Sequence, residues 1–172
     1  MNIESFTGQF GVAESENKYP VQLWNPPLSG DMNLVIKKDG SWWHEGGKFT
    51  RESLVLLFSS ILKREGDEYY LVSPVEKWRI QVEDTPLQII SASEVDGGVM
   101  LVTSERRSIP LDAEHLLKFS QVDGVSIPYI HIRDGLDARF SRNAYYSLAA
   151  LANEFDDELI LDSFGHKQIL MA

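Results

Sequence analysis

The side chains with the most chemical promise in this 172-residue sequence are four histidines, two tryptophans and two arginines that each open a helix. His44, His115, His131 and His166 have no metal-ligand spacing, and His44-Glu45 lacks the second histidine that a zinc-binding helix supplies four positions after the first. No metal site is expected. Imidazole titrates near neutral pH, so His44 could act as a general base beside a carboxylate. Glu45 is its sequence neighbour, but strand alternation sends adjacent side chains to opposite faces, which leaves Glu76 as the partner. No Gly-x-Ser-x-Gly elbow, Walker loop or dinucleotide fingerprint occurs, and Gly46-Gly47 and Gly97-Gly98 read as hairpin loops. Trp24 and Trp42 offer flat faces on which a nucleobase could stack. Packing between the amino-terminal arm and the first hairpin would use the same faces.

Arg51 and Arg142 each follow a hydroxyl residue, Thr50 or Ser141, that reads as a helix N-cap. The amino-terminal end of a helix carries the equivalent of about +0.5 charge, so a cation there calls for a compensating anion. One candidate is the turn aspartate of the same unit, Asp39 for Arg51 and Asp134 for Arg142. The other is an exogenous anion held jointly by the guanidinium and the free N–H groups of the first turn.

The elements that must position these residues repeat. Leu34–Lys38 and Ser41–Glu45 form a hairpin around Asp39-Gly40, with Trp42 and His44 on one face and Trp43 and Glu45 on the other. A helix capped by Thr50 follows, with an apolar stripe at Leu54, Leu57, Phe58, Ile61 and Leu62, Lys63 and Arg64 in its last turn, and Gly66 as its stop. Two more strands, Tyr69–Ser73 and Trp78–Glu83, complete the unit. A degraded copy of residues 34–80 closes the chain at residues 129–170, where Asp134-Gly135 is the turn, Ser141 the cap, and Leu159–Asp162 and Lys167–Leu170 the last strands. Both helices, across Leu54–Lys63 and Ala144–Asn153, are required by this duplication. Residues before Gly30 read as irregular structure. The middle reads as hairpin strands at Leu87–Glu94, Val99–Thr103 and near Leu116–Ser120, with a short helical turn at Pro110 and Asp112 equally consistent. The fold class is therefore α+β, in two domains of mainly antiparallel sheet with one packed helix each, 1–84 and 85–172, divided where charge and proline interrupt the pattern at Asp84–Pro86.

Composition narrows the function. A formal charge of −10 argues against gripping a nucleic acid polymer, which needs clustered Lys and Arg. There is no cysteine, so neither a disulfide framework nor a thiolate metal site exists. The amino terminus lacks the basic start and apolar stretch of a secretory signal, and no apolar run approaches the roughly 20 residues of a membrane span. A cytoplasmic protein with no membrane contact is expected.

The stretches PVQLWNPPLSGDMNL, DGSWWHEGGKFTRESLVLLFSSIL, YYLVSPVEKWRIQVEDTP and PYIHIRDGLDARFSRNAYYSLA resemble domain of unknown function 1285, a family of small bacterial proteins, over nearly all of the chain after Tyr19. The resemblance implies a duplicated α+β core, a second domain superficially like a pleckstrin-homology fold, and a ligand site between the domains for something nucleotide-like in signalling. It marks Trp24, Trp42, His44, Arg51, Glu76, His115, Arg133 and Arg142 as family-typical positions without assigning them roles. No activity is attached to the family, so no catalytic residue and no cofactor is expected. The leading expectation is a protein that binds a small anionic or nucleotide-like ligand. The alternatives are an enzyme using His44 and Glu76, and an adaptor that binds a protein partner through exposed sheet surface.

Overall fold

In the computed structural model, which describes residues 2–10 and 19–170, the chain divides into two compact units, Met1–Asp84 and Thr85–Ala172. The first unit is one six-stranded sheet with a helix on one face. Its elements are α1 (Ile3–Thr7), a 3-10 turn at Val21–Leu23, β1 (Gly30–Ile36), β2 (Trp42–His44), β3 (Gly47–Lys48), α2 (Glu52–Ser60), β4 (Leu62–Glu65), β5 (Glu68–Val72) and β6 (Lys77–Val82). Strand order is β3-β2-β1-β6-β5-β4, antiparallel throughout except that β1 and β6 run parallel. Alternation puts Met32, Leu34, Ile36, Trp42, Leu62, Leu71 and Ile80 on the face that receives Leu57, Phe58 and Ile61, and all ten are buried. Phe58 is the node of this core, with its ring 6.2 Å from Trp42, 5.9 Å from Phe49 and 6.2 Å from Phe6.

The structure corrects three expectations here. Residues before Gly30 are not all irregular, since Ile3–Thr7 is helical and Asn2 caps it through Oδ1; residues 11–18 lie outside the described residues. Thr50 is not the N-cap of α2: Arg51 takes the extended cap conformation and no side chain caps the turn. The helix ends at Ser60, and Leu62 to Glu65, expected as its last turn, is strand β4 paired with β5. Leu62 fits a 3.6-residue stripe and a two-residue alternation equally well, and pairing with Leu71 decides for the strand. Lys63 then falls on the opposite face. There it is buried and donates from Nζ to the Trp24 carbonyl at 2.9 Å and to Asn25 Oδ1 at 2.8 Å. Gly66, with φ +60, turns the β4–β5 hairpin.

The second unit holds β7 (Leu87–Val95), β8 (Gly98–Thr103), β9 (Ser108–Pro110), β10 (Leu117–Val122), β11 (Val125–Arg133), β12 (Leu136–Phe140), α3 (Arg142–Ala150), β13 (Asn153–Phe155), β14 (Glu158–Ser163) and β15 (His166–Leu170). A six-stranded sheet runs β10-β11-β12-β7-β8-β9, with β12 and β7 parallel, and β13-β14-β15 form a separate sheet. Pro110 lies in β9, which rules out a helical turn starting there. Ser141 caps α3 by accepting from the Ala144 N–H at 3.2 Å. Asn153, expected in this helix, begins β13 instead. The small sheet is pinned by three bonds: Val99 N–H to Ser163 Oγ (2.9 Å), Phe164 N–H to the Gly97 carbonyl (2.8 Å) and Leu117 N–H to Gln168 Oε1 (2.7 Å).

Apart from the two-residue strand β3, element order thus repeats as hairpin, helix, strand and hairpin in residues 30–82 and 125–170, while strand pairing does not. In the first unit the closing strand β6 joins the opening strand β1; in the second, the hairpin joins β7 and the closing strands stand apart.

Two substitutions test this packing. Lys63→Met keeps the stem but removes the buried ammonium and its charged hydrogen bonds to the Trp24 carbonyl and Asn25 Oδ1, and a loss of about 1.5–3 kcal/mol in urea unfolding is expected. Gly98→Ala places a Cβ 2.6 Å from the Phe164 ring and 2.7 Å from Ser163 Oγ, which forces the β7–β8 turn off β14. Its expected cost is about 1–3 kcal/mol, read by the same measurement.

Candidate functional site

Trp42 and His44 share the helix-facing side of β2, as alternation requires. Trp42 is 4% exposed and belongs to the core, so its ring has no free face for a planar ligand. His44 is half-buried and stacks on Phe49, with ring centroids 6.1 Å apart and an interplanar angle of 12°. Trp43 points the other way, donates from Nε1 to Ser41 Oγ at 2.8 Å and lies under the Lys37 ammonium, 4.0 Å from the ring centroid. Trp24 is half-buried in an aromatic cluster with Phe10 and Tyr19 above Val21, Tyr70 and Val72.

His44 and Glu76 do not form an acid–base couple. His44 pairs with Leu34 of β1, next to the residue that meets Gln81, whereas Glu76 precedes the first residue of β6. About four residues of strand separate them by roughly 13 Å lengthwise, and two strand spacings by about 10 Å across. Glu76 is engaged elsewhere, accepting from Gln9 Nε2 and, at 3.3 Å, from Trp78 Nε1. Among the described residues no cluster of His, Asp or Glu could hold a metal ion, and no helix is long and apolar enough to cross a membrane.

Arg51 and Arg142 are both exposed, and neither side chain makes a hydrogen bond or ion pair among the described residues. The expected tie from Asp39 to Arg51 is not formed. Asp39 Oδ1 instead accepts from the Ser41 N–H at 2.9 Å and from the Ser41 hydroxyl. Those bonds, the hydroxyl one foremost, hold the Asp39 carboxyl below its ordinary range. Nor does Asp134 reach Arg142; its nearest cation is Arg133, at 4.0 Å. The two helix starts differ: Ser141 caps α3 and Arg142 is its first residue, whereas Arg51 is itself the N-cap of α2 and no side chain caps that turn.

His115 and Arg133 are held locally in the second unit. Asp112 Oδ1 accepts from the N–H groups of Glu114 (3.0 Å) and His115 (3.1 Å) and meets His115 Nδ1 at 2.9 Å. Burial pushes the Asp112 carboxyl up, but the hydrogen bonds from His115 and Glu114 together outweigh it and hold the group below its ordinary range. Arg133 Nη2 donates to Glu105 Oε1 at 2.6 Å, and the Glu105 side chain is only 6% exposed. Glu105 was not legible as a partner, because it sits in a turn 28 residues from Arg133.

Lys63 and Arg79 were missed as well. The row Lys63, Tyr70, Arg79, Asp31 crosses four strands on the face away from α2. Arg79 bridges Asp31 (3.0 Å) and Glu68 (3.1 Å), Tyr70 donates to Glu68 at 2.7 Å, and Lys77 pairs with Glu65. Alternating charged and apolar residues in 62–82 carried the signal, but only the strand assignment of 62–65 aligns it.

Because Asp39 and Arg51 do not touch, Asp39→Ala and Arg51→Ala should be additive within about 0.3–0.5 kcal/mol in a double-mutant cycle. The Asp39 contribution has a defined sign with pH. Its folded carboxyl lies below the ordinary 3.8, so the contribution is complete above that value and is lost as pH falls through the lower folded value. The stability difference between wild type and Asp39→Ala should therefore be flat from pH 7 to 5 and shrink towards pH 3, by urea unfolding.

Comparison with known proteins fits this architecture. The domain of unknown function DUF1285, N-terminal domain, matches residues 19–85, and the DUF1285 C-terminal domain matches residues 89–167. A crystal structure of a DUF1285 family protein from Silicibacter pomeroyi DSS-3 superimposes with a TM-score of 0.83 at 34% identity, covering 96% of this chain and 93% of that one. A second, from Shewanella baltica OS155, gives a TM-score of 0.55 at 28% identity over 69% of this chain and 91% of that one. No curated protein matches the chain. Two domain matches in tandem, backed by a full-length structural relative, place the chain in the DUF1285 family.

Proposed function

We propose that this protein binds a small anionic, nucleotide-like ligand in a sensing or signalling role and carries out no chemistry on it. One observation carries the reading. Arg51, the N-cap of α2, and Arg142, the first residue of α3, stand at aligned positions of the two repeats, both are exposed, and neither is neutralised by a carboxylate among the described residues. A guanidinium beside first-turn N–H groups matches the planar, multidentate geometry of phosphate and carboxylate. The catalytic alternative loses its couple, since Glu76 is bonded to Gln9 and Trp78 and lies far from His44. An adaptor role is favoured by a different observation: Phe155 and Ile169, on the outer face of the β13–β15 sheet, are 71% and 53% exposed.

A thermal-shift screen of nucleotides and other cellular anions tests the reading. A ligand at 100 times its dissociation constant adds about 2.7 kcal/mol of stability, a readily measured shift. Arg51→Ala and Arg142→Ala should leave the melting temperature of the unliganded protein nearly unchanged and reduce or abolish the anion-induced shift. Titration calorimetry then gives the number of anions bound per chain. A broad anion library without any shift overturns the proposal and leaves the adaptor.

A further inference from the structure

Each six-stranded sheet ends in two edge strands, whose outward N–H and C=O groups can pair with another chain unless something blunts them. Three of these four edges are blunted. Strand β3 has two residues, β9 has three and includes Pro110, and β4 has four with the 3-10 turn at Val21–Leu23 packed beside it. The remaining edge, β10, is different. Its six residues contain no proline and pair with β11 without a bulge, from Leu117 opposite Ile130 to Val122 opposite Val125.

One bond identifies the open side of β10. Leu117 donates its N–H to Gln168 Oε1 at 2.7 Å rather than to β11, so its backbone groups point outward. Alternation along an antiparallel ladder turns those of Phe119 and Gln121 outward as well. Among the described residues neither backbone has a hydrogen-bond partner on that side. The Gln168 amide thus stands where the peptide group of a neighbouring strand would begin. At the other end the chain leaves the strand at Asp123, with φ +51. Between these limits Phe119 to Gln121 is open, and Lys118, Ser120 and Gln121 are exposed.

We propose that β10 pairs antiparallel with β10 of a second copy of this chain, joining the two β7–β12 sheets across a two-fold axis at Ser120. That axis sets Phe119 of each copy opposite Gln121 of the other, and each such pair exchanges both of its N–H···O bonds. Every open group of the stretch is then used in both copies. Centring the axis on Phe119 instead would need the Leu117 N–H, which Gln168 already holds. The side chains suit the same register. Lys118 falls opposite Val122 and beside Asp123 of the second copy, Ser120 meets Ser120, and no two like charges face one another. Phe119 is fixed beforehand, its ring 6.3 Å from that of Tyr145. An edge this short buries less than the roughly 1,200 Å² of a stable interface, so the dimer forms and dissociates with concentration.

Sedimentation equilibrium of the full chain, from micromolar to millimolar concentration, tests this. The wild type should rise from monomer to dimer mass across that range. Gln121→Pro removes an N–H that β11 does not use and should stay monomeric. Ser120→Lys sets two ammonium groups face to face and should weaken dimerisation about fivefold. An equimolar mixture of Ser120→Lys and Ser120→Glu should associate more tightly than either variant alone. A wild-type chain that stays monomeric at the highest concentration overturns the proposal. So does a dimer that Gln121→Pro or Ser120→Lys leaves unchanged, because it uses another surface, and so does a mixture no tighter than its parts. Should Gln121→Pro fail to fold, the substitutions at the exposed Ser120 decide alone.

Discussion

Parallel pairing of β1 with β6 is the constraint on which the first unit depends. Every other strand contact in that unit joins pieces close in sequence, which turn chemistry and alternation can form locally. The β1–β6 ladder joins Gly30 to Trp78 and Ile36 to Val82, and makes two hairpins and a helix into one sheet. It also makes β6 a central strand flanked on both sides. Ile80 is therefore buried against the helix side, and Arg79 on the other face lies within reach of both Asp31 and Glu68. In the second unit the parallel ladder is β12 with β7, so the middle of the chain supplies the strand that the closing hairpin supplies in the first. The repetition is one of local units, and sheet closure is where the two copies part.

What could be seen in the sequence follows the range of the forces involved. The turns at Asp39-Gly40 and Asp134-Gly135, the Ser141 cap and the opposite facing of Trp42 and Trp43 rest on residues within four positions of one another. Strand β4 was hidden because Leu62 satisfies both helical and strand periods, and its choice is made by β5. Lys63 looked like a helix-end charge because the groups that satisfy it, the Trp24 carbonyl and Asn25 amide, are 39 and 38 residues away. Helix α1 has five residues, too few to show a period, and it exists because Phe6 has a site beside Phe58.

The candidate site was legible as a set of positions and illegible as a set of contacts. A turn aspartate with a serine two residues on has a nearer donor than any guanidinium on the next element, and the local bond orders fewer rotors. The same economy of distance fixes Asp112 on its own turn and His131 on Asp137 across a hairpin. Arg133 is the exception, since its carboxylate comes from another turn, and that pair is correspondingly more buried than the others.

The two helix-start arginines are left uncompensated by different routes. In the first unit Asp39 is consumed by Ser41, with Gly40 alone of the turn pair at positive φ. In the second, both Asp134 and Gly135 adopt positive φ, and the nearest cation to the Asp134 carboxylate is the preceding Arg133. One helix start is capped by serine and the other has no side-chain cap. Had a single turn geometry been responsible for the exposure of Arg51, the altered turn around Asp134 should have brought a carboxylate to Arg142. It does not, so the exposed guanidinium recurs independently of turn geometry and capping. An arginine with no carboxylate partner among the described residues, set against the helix dipole in both repeats, contributes nothing evident to either fold.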